Sequence, residues 1–134
     1  MTLALDTTAL LARYVAGPHR DVVHEAMAAD PDWCASALAL TESLMLLERL
    51  TPDPFAADDL RRALRDDWER VNVVPVDQRC LDRAAELGRS HPLRTVDALH
   101  LAAADRLPRP LTYVTFDHRQ IPVALALGLD VVST

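Results

Sequence analysis

The sequence has no lysine; all fourteen of its basic residues are arginine. That absence excludes the phosphate-binding P-loop, whose lysine reaches the nucleotide phosphates. It also excludes Schiff-base chemistry, which needs a lysine amine. Cysteine is scarce: Cys34 and Cys80 stand far apart with no CxxC pair, and they read as small buried hydrophobes in a reducing compartment. A zinc site would need more ligands at closer spacing, and the histidines at 19, 24, 91, 100 and 118 form neither an HxH nor an HExxH pattern. No apolar run reaches the roughly 18 residues of a membrane span. Nor is there a secretory pattern, because Asp6 interrupts the first apolar stretch and no basic residue precedes it. The expected compartment is the cytoplasm.

What remains is ordinary globular composition. The chain has 134 residues, half of them apolar and a quarter charged, with a net charge of −6. That is one domain's worth, residues 1–134, without repeats, linkers or low-complexity tracts. A chain of this length buries roughly two-thirds of its unfolded surface, enough to fold without a disulfide or a structural metal.

Short apolar runs alternate with longer helical patterns. Strands are expected at 2–5, 33–35, 71–76, 111–116 and 129–132. Helices are expected at 8–16, stopped by Gly17-Pro18, and at 19–29. A third runs from a Ser36 cap to about Leu50 and is apolar nearly all round, so it should be buried. A fourth starts at Asp53-Pro54, a cap with proline at the first helical position. It carries Phe55, Leu60, Leu64 and Trp68 on one face, which suits either the core or a partner surface. Further helices are expected from Asp77 to about Arg89, from a Thr95 cap to about Asp105, and from Pro122 to Gly128. The alternation predicts an α/β domain with a short, mainly parallel sheet covered on both faces.

In such sheets, ligands bind outside the carboxyl ends of the strands. Asp6 directly follows the first strand, and Asp117 follows the strand at 111–116. Glu42 lies near the start of the helix after the second strand, and Asp97 lies in the first turn of the helix leading back to the fourth. Four acids from distant parts of the chain can therefore meet at one rim. Each also has a local explanation: Asp6 and Asp117 as helix caps, Asp97 as a complement to a helix dipole. Pro122 weakens the cap reading of Asp117, because a helix begun at 118 would hold proline in its interior. Glu42 is harder to explain, being the only charge between Asp32 and Glu48. An unpaired buried carboxylate is costly, and clustered acids repel one another. A hard divalent cation would answer both problems. Ions held by carboxylates commonly serve phosphate chemistry.

In order along the chain stand Leu5-Asp6-Thr7-Thr8-Ala9-Leu10, then Ser36 with Thr41-Glu42, then Thr95-Val96-Asp97-Ala98-Leu99-His100-Leu101-Ala102, then Val114-Thr115-Phe116-Asp117. This ordered set resembles the PIN-domain ribonucleases of the VapC toxin type, over essentially the whole chain. The resemblance implies a three-layer α/β/α PIN-like fold and an endoribonuclease that hydrolyses RNA phosphodiesters with Mg²⁺ or Mn²⁺. Asp6, Glu42, Asp97 and Asp117 match the family's acidic quartet of catalytic and metal-binding residues. Thr7 and Thr115 match polar positions where a hydroxyl orients a carboxylate or a metal-bound water. Thr8 stands where the family commonly has serine, a conservative departure. The resemblance also implies a homodimer and a cognate antitoxin, making the chain the toxin of a toxin–antitoxin pair.

A net acidic protein binds RNA poorly in general, so contact would need a local basic rim. Arg13, Arg94 and Arg119, each near a quartet residue or its helix, are the candidates. His100 follows Asp97 by three residues on the same helix face; its first reading is as a packed residue, its second as a group near the metal or phosphate. Two other functions compete. An aspartate-nucleophile phosphatase would use Asp6, but it expects an acid at position 8 and a lysine, and the chain has neither. A non-enzymatic PIN-like binding module would not need four clustered acids.

Overall fold

A computed structural model describes residues 1–134. Five strands form one sheet, every neighbouring pair parallel, in the order β3-β2-β1-β4-β5. The elements are β1 (Thr2–Leu5), α1 (Thr7–Ala12), α2 (Arg20–Ala29), β2 (Trp33–Ser36), α3 (Ala37–Leu50), α4 (Pro54–Trp68), β3 (Asn72–Val74), α5 (Gln78–Ser90), α6 (Thr95–Asp105), β4 (Leu111–Val114), α7 (Ile121–Ala126) and β5 (Asp130–Val132). No helix is long and apolar enough to cross a membrane.

Alternation along the strands divides the core in two. Ala4 and Tyr113 face a layer built from α5, α6 and α7, with Cys80, Leu87, Leu101 and Val123. Leu3, Leu5 and Val114 face the opposite layer with Leu10, Val23, Leu47 and Leu64 of α1 to α4. The sheet is thus covered on both faces, and both cysteines are buried free thiols. The chain runs outward from β1 through β2 to β3, then returns to the other side of β1 for β4 and β5. The order of strands therefore reverses between β1 and β4, the place where open α/β sheets leave a crevice.

Several boundaries differ from the sequence expectation. The first helix ends at Ala12 rather than near 16, and the fourth strand at Val114 rather than 116. Helix α3 is not buried all round: Met45 is 57% exposed and Leu50 53% exposed. One stripe of it packs inward through Ala39, Ser43 and Leu47. On α4, Leu64 is fully buried and Leu60 and Trp68 pack against the core, whereas Phe55 stands 80% exposed. At the far end, Gly128 takes φ +80 where the chain leaves α7 for β5, a conformation that glycine adopts without a Cβ penalty.

Arg13 is directed away from the strand ends. Its Nε pairs with Asp67 Oδ2 of α4 at 2.9 Å, and the same oxygen accepts the Tyr14 hydroxyl at 2.7 Å. Its guanidinium also lies over Trp33, 5.3 Å from the ring centroid. The structure thus places Arg13, a candidate for RNA contact, on the α4 side, where it ties two helices together.

Candidate active site

Asp6 sits where β1 ends, in extended backbone, and begins α1 as its N-cap. Its reading as a cap and its place at the strand end are compatible, because one carboxylate serves two groups of partners. Oδ1 accepts from the Ala9 N–H at 2.9 Å, the capping bond, and from the Thr8 hydroxyl at 2.7 Å. Oδ2 accepts from the Thr115 hydroxyl at 2.7 Å and from Gln120 Nε2 at 3.1 Å. Four donors hold this 1%-exposed carboxylate in one orientation. Thr115 also accepts the Asp117 N–H at 3.1 Å, so one hydroxyl joins the ends of β1 and β4.

Asp97 lies in the first turn of α6, where a carboxylate suits the helix dipole. Thr95, expected as the cap, is instead the first helical residue, and Arg94 holds the cap position without a side-chain bond. Asp97 accepts from Gln120 Nε2 at 3.2 Å and from Arg94 Nε at 3.0 Å. Asp117 stands in the loop before α7, whose N-cap is Gln120. Its Oδ1 accepts the Arg119 N–H at 3.0 Å, and its Oδ2 lies 3.5 Å from Gln120 Nε2 and 3.9 Å from Arg94 Nη2.

Glu42 belongs to an adjoining network. Its Oε1 accepts from Thr7 Oγ1 at 2.5 Å and lies 2.7 Å from His100 Nε2. His100 Nδ1 is 2.9 Å from Ser36 Oγ. With the proton on Nε2, the ring donates to Glu42 and accepts from Ser36. Ser36 occupies the N-cap of α3 as expected, yet its hydroxyl turns to the histidine instead of capping the helix. The partner that Glu42 needs is therefore His100, 58 residues away in sequence. The two readings of His100 merge, since it is a packed, 4%-exposed residue bonded to a site carboxylate.

The two networks have opposite electrostatics. Burial, the largest cause, pushes the Asp6 carboxyl above the usual carboxylate range against the bonds from Thr8, Ala9 and Thr115. The hydrogen bond from His100, aided by Thr7, holds Glu42 below that range. A raised carboxylate contributes stability below its unfolded pKa of about 4 and loses that contribution as pH rises through its folded value. In EDTA, the melting temperature of Asp6→Asn relative to wild type should therefore climb as pH is raised from 4 to 8. A difference that stays constant across that range would show that burying the charge carries no penalty.

The donor chemistry fits a hard divalent ion, with four carboxylates, one of them deeply desolvated. The present arrangement is not a ready-made cage, however: no three His, Cys, Asp or Glu side chains stand at coordinating spacing. Gln120 Nε2 and the Arg94 guanidinium lie among the acids. Gln120 and its partner Tyr113, whose hydroxyl meets Gln120 Oε1 at 2.6 Å, were not singled out from sequence. The only trace there is the Asp-His-Arg-Gln spacing, which reads equally as a capping box.

Comparison with known proteins identifies the family. Residues 3–125 match the family described as the PIN domain. Ribonuclease VapC46 of Mycobacterium tuberculosis is 34% identical over 130 residues, spanning 96% of this chain and 95% of its own. Among solved structures, VapC20 of Mycobacterium tuberculosis, a sarcin-ricin loop cleaving toxin, aligns with a TM-score of 0.72 at 22% identity, over 91% of this chain and 95% of its own. A toxin–antitoxin complex from Klebsiella pneumoniae aligns with a TM-score of 0.73 at 19% identity, over 99% of this chain and 97% of its own. With a family model matched over most of its length and a near full-length relative at 34% identity, the chain belongs to the PIN-domain family, among the proteins named VapC.

Proposed function

We propose that this protein is a Mg²⁺- or Mn²⁺-dependent endoribonuclease and the toxin of a toxin–antitoxin pair. The observation that carries the reading is the meeting of Asp6, Asp97 and Asp117 around one point at the β1/β4 crevice. The relative named a ribonuclease supports it. Asp6, Asp97 and Asp117 are the residues to hold the ion, with Glu42 as a further ligand or the group that orients the attacking water. A bound ion of this kind supplies Lewis acidity toward the phosphodiester and a more acidic water.

The chain's own groups have separable tasks. Thr115 fixes Asp6 and the backbone of Asp117 in one step. His100 and Thr7 keep Glu42 ionised and in one orientation. Arg94, 68% exposed at its side chain, reaches Asp97 and Asp117 and can exchange a carboxylate for a backbone phosphate. Arg119 is exposed, makes no ion pair, and stands two residues from Asp117. These two arginines form the RNA-contact rim. The reading carries with it a cytoplasmic setting, a cognate antitoxin and a homodimer.

The test is cleavage of a panel of structured RNAs by the purified protein in Mg²⁺, Mn²⁺ and EDTA. Cleavage that needs the ion supports the reading. Ion binding with no cleavage of any RNA, and no growth arrest on expression, would favour the non-enzymatic module. Within the same assay, His100→Ala should lower the rate by about 10–100-fold, the usual effect of losing a partner behind a ligand. It should also move the acidic limb of the pH–rate profile upward as Glu42 loses the bond that depresses it. An unmoved limb would separate His100 from the ionisation of Glu42.

A further inference from the structure

Three carboxylates from three separate elements share one neutral partner. Gln120 Nε2 lies 3.1 Å from Asp6 Oδ2, 3.2 Å from Asp97 Oδ1 and 3.5 Å from Asp117 Oδ2. Gln120 is 1% exposed. Its orientation is not free, because its Oε1 accepts the hydroxyl of Tyr113, itself 1% exposed. Only one assignment of the amide satisfies both ends: the oxygen toward the tyrosine donor, the NH₂ toward the acids. Nothing else buried in the site offers the acids a donor in common, and Arg94 reaches two of them only from solvent.

The nitrogen stands where a cation shared by these oxygens would have to act. We infer that Gln120, locked by Tyr113, is a positioning residue that stands in for the ion in the metal-free protein. By donating to acids that would otherwise repel one another, it keeps them aligned and sets the site's metal affinity below what the bare carboxylates would give. An arriving ion has to take those oxygens over from the amide, so amide and ion compete. The Tyr113 hydroxyl strengthens the competition by keeping the amide oxygen, a hard donor in its own right, turned away. The absence of a ready-made cage among these acids follows from the same lock. This inference rests on the metal-dependent reading above and adds the residue that tunes its ion.

The experiment is a Mn²⁺ titration by calorimetry on the purified full chain, paired with melting curves in EDTA and in saturating Mn²⁺. The variants are Gln120→Leu, Gln120→Glu and Tyr113→Phe, and circular dichroism confirms that each is folded. Gln120→Leu and Gln120→Glu should melt lower in EDTA than wild type, recover part of the loss in Mn²⁺, and bind Mn²⁺ about tenfold more tightly. That factor corresponds to about 1.4 kcal/mol, the scale of a hydrogen bond to a charged group. Tyr113→Phe, which frees the amide to turn, should tighten binding in the same direction by less. A packing role alone would lower the melting temperature equally with and without Mn²⁺ and leave the affinity unmoved. Affinity equal to or weaker than wild type in the two Gln120 variants overturns the inference. If wild type itself binds no Mn²⁺, the metal-dependent reading fails first, and this inference falls with it.

Discussion

Asp97→Asn is expected to fold like wild type and to lower metal-dependent RNA cleavage by more than about a hundredfold. The magnitude follows from the proposed role: partners behind a metal ligand are worth about 10–100-fold, and Asp97 is proposed as a ligand itself. Retention of the fold follows from geometry. Asparagine has the same shape, and its oxygen can still accept from Gln120. The ion pair it gives up is with Arg94, whose side chain is 68% exposed, and such pairs contribute at most about 1 kcal/mol. The measurement is cleavage of the RNA panel by both proteins, purified identically, in Mg²⁺ and in EDTA. Equal cleavage by the two would mean that a contaminant, or a site elsewhere, does the cutting. Growth arrest on expression of wild type but not of the variant would extend the result to the cell.

Four residues along the same helix the largest stability effect is expected. Leu101→Ala should lower unfolding free energy by about 2–5 kcal/mol, the range for emptying a well-packed leucine site. Leu101 is 0% exposed and sits among eight consecutive buried residues of α6, Asp97 to Ala104. Neighbouring Ala102, Ala103 and Ala104 are short, so they offer little side chain to swing into the void. For a domain with a total stability of about 5–15 kcal/mol, the loss should appear as a melting temperature lower by roughly 10 °C and as a lower urea midpoint with unchanged slope. A loss under about 1 kcal/mol would mean that α6 is not packed as described. Taken together, the two substitutions separate chemistry from packing on one helix. The first should silence a stable protein, and the second should weaken the fold without removing a site group.

The order and type of the elements were legible because the signals were local. Caps such as Asp53 and Asp77, proline at 54 and 122, and five short apolar runs each report on a few adjacent residues. Boundaries were less so. Residues 13–16 keep a helical pattern, and the backbone does continue in turns there, with the Tyr14 and Val15 N–H groups both on Leu11 O, so the end of α1 is gradual rather than marked by a residue. The leucines of α3 read as buried on every side because hydrophobicity gives the face of a helix only when polar residues mark the other one. At the site, strand-end position was enough to single out Asp6 and Asp117, and the proline argument kept Asp117 out of a helix, where the structure also places it. Distances were out of reach. Glu42 finds its partner at His100 and Asp6 finds Gln120 only once strands and helices are assembled. A neutral glutamine in front of Ile-Pro-Val carries no sign in sequence that three acids will turn toward it.

The central place of β1 in the sheet has a consequence for how the protein is made. Asp6 leaves the ribosome well before the hydroxyl that orients it, which belongs to Thr115, 109 residues later. Leu5 pairs with Ala35 on one side and with Val114 on the other, so one whole side of the central strand waits for β4 to be made. Contacts so distant in sequence form late, and a nascent chain lacking them presents an unpaired strand edge rather than a finished crevice. Truncated or stalled products therefore lack Thr115, Asp117 and Gln120 together. A cell that translates this message only in part makes fragments without an assembled site.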